Sequence, residues 1–162
     1  MTSQQAGERK FVVLDASIWV SRLVPQDEFH AAVRSWMEEQ VEAGVQFISP
    51  TLLLPEVGGA ISRRTGNPVL GRQATHQLEN LPGLRLVEMN NELIHDAAIL
   101  AADLGLRGAD SVYVAVASQL RLQSVGNQHR FALADERRQL RRETVILEGM
   151  HRKERRRGSG GK

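Results

Sequence analysis

Cysteine is absent from all 162 residues, so disulfides and zinc–thiolate sites are excluded. A reducing cytoplasm fits that absence. Lysine is nearly missing too: none stands between Lys10 and Lys153. A phosphotransfer receiver needs a lysine late in its sheet, and this chain offers none there. No apolar run approaches the roughly 18 residues a membrane span requires. Residues 1–10 are polar and lack the apolar core of a signal peptide, and they read as a flexible N-terminus. No repeat or interior linker interrupts the rest. What is present is ordinary for a folded domain: 41% hydrophobic and 25% charged residues, in a length suited to one core.

The net charge of +2 conceals an asymmetry. Residues 151–162 carry Arg152, Lys153, Arg155, Arg156, Arg157 and Lys162 against Glu154 alone, a balance of +5. The body before them is mildly acidic at −3. A basic end of this kind suits a phosphate backbone. It equally suits a solvated, flexible tail, and its Gly-Ser-Gly-Gly stretch favours flexibility. The expected organisation is therefore a flexible segment 1–10, a domain over 11–149 and a basic tail over 150–162.

Apolar periodicity predicts strands over 11–14, 46–48, 84–87, 131–134 and 144–147. Helical faces lie between them. Phe29, Val33, Trp36, Met37 and Val41 mark one over 27–43. Ser49-Pro50-Thr51 opens a second that runs through Val57 and Ile61 to Gly66, with Pro55 required near its first turn. Leu70, Ala74, Leu78 and Leu81 mark a third after the Asn67-Pro68 turn. Asn90-Asn91 offers a cap for a fourth that Gly105 closes. A fifth begins at Asp110, with Val112, Tyr113, Val116 and Leu120 on one face. A short charged helix is expected over 136–143. Strands alternating with helices imply βαβ units, a parallel sheet and right-handed crossovers. Sheets of this kind bind ligands beyond the carboxyl ends of their strands.

The carboxylates gather at that edge. Of six aspartates, Asp15 directly follows the first strand and Asp135 the fourth. Glu56 falls early in the helix after strand two, and Asp110 opens the helix before strand four. Packed like charges repel, and a divalent cation relieves the repulsion. Oxygen donors without thiolates favour Mg²⁺ or Mn²⁺. Such ions activate water and stabilise charge on a phosphate in transfer. Each acid also has a purely architectural reading. Asp15 can cap the helix that begins near Ser17, Asp110 can be another N-cap, Glu56 can match a helix dipole, and Asp135 can open a charged surface helix. Ser17, two residues from Asp15, can be a cap residue or can orient a ligand or bound water.

Four segments together resemble a known family. VLDAS at 13–17 is similar to the opening Asp-x-Ser/Thr signature of PIN domains. PEV at 55–57, followed by Ala60 and Ile61, resembles their second motif, a glutamate on a helix. LGLRGADSVYVA at 104–115 is close to the third motif and is the most specific of the set. ADER at 134–137 resembles the fourth, with one departure: Leu133 stands where a threonine usually supplies a hydroxyl. The four occur in order between residues 11 and 148. Within the family, the resemblance is to the toxins of bacterial VapBC-type toxin–antitoxin pairs. It implies a three-layer α/β PIN-like fold, with a central parallel sheet of about five strands in the order 3-2-1-4-5 flanked by helices. It implies a Mg²⁺- or Mn²⁺-dependent endoribonuclease of the cytoplasm. Asp15, Glu56, Asp110 and Asp135 then become catalytic metal ligands, with Ser17 in support. It also implies an RNA substrate, a homodimer, no membrane association, and a small cognate antitoxin that inserts into the cleft.

Two other readings compete. A PIN-like RNA- or protein-binding module without catalysis would keep the fold, and Leu133 leaves room for it. An unrelated doubly wound domain, such as a receiver or a hydrolase, also places aspartates at strand ends; the missing lysine argues against the receiver. The five histidines show no ligand spacing, Arg107 beside the third motif suits a phosphate or a solvated loop, and Trp19 and Trp36 fit apolar helix faces.

Overall fold

A computed structural model describes residues 11–125 of the chain, with side chains through residue 120. The chain divides into two compact units, one up to Asn91 and one from Glu92 onward.

The first unit is built on three parallel strands. β1 (Phe11–Val13) leads through α1 (Ala16–Leu23) and α2 (His30–Glu42) to β2 (Gln46–Pro50). α3 (Leu53–Thr65) and α4 (Pro68–Glu79) then return the chain to β3 (Leu84–Val87). β2 is central: Val13 pairs with Ile48 on one side, and Ile48 with Arg85 on the other. The order β1-β2-β3 agrees with the expected 3-2-1 half of the sheet. The expected strands over 131–134 and 144–147 lie outside the described residues.

Sequence periodicity explains how these helices sit. Leu53, Val57 and Ile61 recur every four residues along α3, share one face and are all buried. α1 buries Ile18, Trp19 and Val20, and β2 buries Phe47 and Ile48. Trp19 meets Phe47 edge to face, ring centres 6.1 Å apart. Each such large apolar side chain contributes roughly 1.5–3 kcal/mol on burial. α4 starts where Asn67 accepts the backbone N–H of Val69 at 2.9 Å, with Pro68 at the first helical position, where its missing N–H costs nothing.

Several boundaries differ from the sequence expectation. β2 runs through Ser49 and Pro50, which were expected to open the next helix, and α3 starts only at Leu53. Pro55 is its third residue and does fall in the first turn. α2 starts at His30 instead of Asp27, because the Asp27 side chain is otherwise engaged. Asp27 accepts the Phe29 N–H at 3.0 Å and, from α3, the Arg64 guanidinium at 2.6 Å. Burial raises the Asp27 pKa; the Phe29 N–H, Arg64 and the Ser21 hydroxyl outweigh it and hold the carboxyl below its ordinary value.

The second unit contains α5 (Asn91–Leu104) and α6 (Gly108–Val125). Gly105 adopts φ +62° and ends α5 in the left-handed conformation that glycine adopts without strain. Gln119 on α6 donates to Asp96 on α5 at 3.0 Å. α6 is buried on every side from Ser111 to Val116, as a helix inside a core must be. Among the described residues, no helix is long and apolar enough to cross a membrane.

Candidate active site

The carboxyl edge of the sheet is reached two residues after β1, at Asp15. Asp15 has extended backbone geometry and is the N-cap of α1. Its Oδ1 accepts three hydrogen bonds: from the Ser17 N–H at 2.9 Å, the Ser17 hydroxyl at 2.7 Å and the Ile18 N–H at 3.3 Å. Among the described residues no donor is recorded for Oδ2. Among the described residues, one carboxylate oxygen is thus bound to the helix and the other has no donor. The cap reading and the ligand reading of Asp15 are compatible, because they use different oxygens. Ser17 itself is exposed and clasps the aspartate with both its backbone and its hydroxyl.

Glu56 stands in the first turn of α3, directly beyond β2. β1 and β2 are neighbouring parallel strands, so Asp15 and Glu56 leave the sheet at the same edge. Glu56 is half-buried, as is Asp15. In the second unit, Asp110 lies in the first turn of α6. The sequence left open an N-cap role for Asp110, but the helix begins two residues earlier, at Gly108, so Asp110 is not the cap. Ser111 binds that first turn, its N–H reaching the Arg107 carbonyl at 3.0 Å and its hydroxyl the Gly108 carbonyl at 2.7 Å. Asp135 lies outside the described residues.

The donors are carboxylates and hydroxyls throughout, the chemistry a hard divalent cation prefers. Asp15, with one oxygen saturated and one open, fits such an ion. Among the described residues, no three of His, Asp and Glu form a group able to hold a metal. Among the described residues, Asp15 and Glu56 stand at one edge of the sheet, and Asp110 stands in the first turn of α6.

A model of the PIN domain matches residues 12–137, most of the chain. The chain belongs to the PIN domain family. Among solved structures, the fold of this PIN chain is similar to that of VapC20 from Mycobacterium tuberculosis, described as a sarcin–ricin loop cleaving toxin. The TM-score is 0.60 at 16% identity, over 70% of this chain and 85% of that one. At this identity the likeness speaks for the fold. No curated protein matches the sequence.

One part of the site escaped the sequence reading. Ser49, at the end of β2, donates to the Leu14 carbonyl at 2.6 Å and accepts the Trp19 indole N–H at 3.2 Å. Its only local signal is a serine immediately before a proline at a strand end. That pair was read as a helix start.

Proposed function

We propose that this PIN chain is a Mg²⁺- or Mn²⁺-dependent endoribonuclease, the toxin of a type II, VapBC-like toxin–antitoxin pair. It acts as a cytoplasmic homodimer on RNA, and a small cognate antitoxin restrains it by occupying the cleft. Asp15, Glu56, Asp110 and Asp135 hold the cation, and Ser17 orients Asp15. The observation that carries this reading is the clasp on Asp15 at the carboxyl edge of the sheet, in which, among the described residues, only one carboxylate oxygen has donors. Membership of the PIN domain family over residues 12–137 supports it.

A bound divalent ion would supply an activated water and charge neutralisation at the phosphate. The chain's own residues do the rest. The Ser17 hydroxyl and N–H hold the Asp15 carboxylate in one rotamer, so little entropy is lost when a ligand engages it. Residues 151–162 attract the RNA backbone through their +5 balance and take no part in bond cleavage.

The test is cleavage of structured RNA by the full chain. Activity should require Mg²⁺ or Mn²⁺, stop with EDTA, and fall by orders of magnitude in Asp15→Asn and Asp110→Asn variants that remain folded. Full activity in EDTA or in both variants would refute the assignment. RNA binding without cleavage under any metal would favour the inactive binding module.

A further inference from the structure

We propose that Ser49 is a positioning residue of the candidate site: it replaces a backbone donor that Pro50 lacks and so fixes the peptide from which Asp15 projects. The proposal rests on the reading of Asp15 as a cation ligand.

The ladder between β1 and β2 creates the need for such a donor. In a parallel pair, each residue facing its neighbour donates its N–H and accepts with its carbonyl on that same side. Ile48 faces β1, because its carbonyl accepts the Leu14 N–H at 3.0 Å. Two residues on, Pro50 faces β1 as well. Its nitrogen would be the next donor, to the Leu14 carbonyl, but proline has none. Leu14 is fully buried, and a buried carbonyl left without a donor is costly. The Ser49 hydroxyl fills the gap at 2.6 Å.

The hydroxyl does a second thing. Its oxygen accepts the indole N–H of Trp19 at 3.2 Å. Trp19 belongs to α1, the helix that Asp15 caps. The chain Trp19–Ser49–Leu14 therefore closes a loop around Asp15. One side of that residue is tied to the strand and the other to the helix. Trp19, Ser49 and Leu14 are all buried, at 1%, 0% and 0% exposure, so water cannot substitute for any of these bonds. Leu14 now has both its N–H and its carbonyl committed to β2. The plane of the Leu14–Asp15 peptide is fixed, and Ser17 then fixes the carboxylate. An error in that plane would be carried to the open Oδ2, where a shift of a few tenths of an ångström matters for a cation.

The experiment is Mn²⁺ binding to the full chain by calorimetric titration, with thermal melts run in parallel. Partners that orient metal ligands typically change affinity 10- to 100-fold when removed, so Ser49→Ala should raise the Mn²⁺ Kd by about tenfold or more. Ser49→Thr, which keeps the hydroxyl, should restore most of that loss. Trp19→Phe keeps the ring but withdraws the indole N–H, and should raise the Kd by a smaller factor. Leu100→Ala, a core truncation in α5, should lower the melting temperature and leave the Kd unchanged. In the proton spectrum, Ser49→Ala should shift the Trp19 indole N–H. A wild-type Kd in Ser49→Ala overturns the proposal, as does an equal loss in Leu100→Ala or no recovery in Ser49→Thr. If Ser49→Ala does not fold, an unchanged Kd in Trp19→Phe overturns it. No Mn²⁺ binding by the wild type would overturn the cation reading of Asp15, and this proposal with it.

Discussion

α3 carries Glu56, and its packing on α4 depends on one close approach of backbone to backbone. At Gly71, a Cβ would lie 2.5 Å from the carbonyl oxygen of Gly58 and would also collide with the Ser62 hydroxyl. A side chain can rotate away from an intruding methyl; a helix carbonyl cannot without moving its helix. Gly71→Ala should therefore push α4 away from α3. Overpacking of this kind costs about 1–3 kcal/mol, and an immovable backbone atom puts the cost toward the upper end. Alanine returns roughly 1 kcal/mol of helix propensity, which leaves a net loss of about 1–2 kcal/mol. Gly59, in α3, is the opposite case. A Cβ there would meet the tip of the Arg63 side chain at 3.0 Å, and a flexible guanidinium can swing aside. Gly59→Ala should therefore gain up to about 1 kcal/mol. At about 2–4 °C per kcal/mol for a chain of this size, the two variants should straddle the wild type in a thermal melt. If Gly71→Ala is as stable as Gly59→Ala, the close approach of α3 and α4 is wrong, and so is the placement of the helix that carries Glu56.

Two further perturbations separate structure from chemistry. Asp27 is held below its ordinary pKa in the fold by the Phe29 N–H and by Arg64, so these contacts contribute stability that is fully present above the unfolded value near 3.9 and is lost as pH falls through the folded one. In urea melts, Asp27→Asn should be less stable than wild type by about 1–2 kcal/mol at pH 7, and the gap should narrow toward pH 2; a constant gap would contradict the linkage. At Asp15, both Asn and Ala remove the charge but only Asn keeps a capping oxygen, so metal-free Asp15→Ala should be about 1 kcal/mol less stable than Asp15→Asn, and equal melting temperatures would show that the cap is idle.

Much of this was legible in the sequence because it depends on local pattern. The strand over 84–87 and the Asn67-Pro68 helix start rest on neighbours in the chain. So do the glycine stop at Gly105 and the capping geometry of Asp15 with Ser17. The parallel sheet followed from the alternation of strands and helices, and the position of Asp15 and Glu56 at the same edge followed from the parallel sheet. What was not legible depends on partners far away in sequence. Asp27 looked like a helix start because its commitment to Arg64, 37 residues on, leaves no periodic trace. Ser49-Pro50 looked like another start because nothing local shows that the serine repairs a ladder bond to Leu14, 35 residues earlier. Asp110 was correctly placed on a helix but two positions too near its start, since Gly108 is a weak helix-start signal. The fourth motif around Asp135 and the two later strands lie outside the described residues.

The proposed activity requires Asp15 and Asp110 each to act as a ligand of a divalent cation. Its most direct test is Mn²⁺ titration of the wild type, Asp15→Asn and Asp110→Asn in the absence of RNA. The account predicts saturable binding to the wild type that is lost, or weakened by about tenfold or more, in each variant. Each variant should also lose the metal-induced rise in melting temperature, worth about 2.7 kcal/mol at roughly 100 times the Kd. Wild-type affinity in either variant would contradict it, because that carboxylate would then be no ligand of the cation.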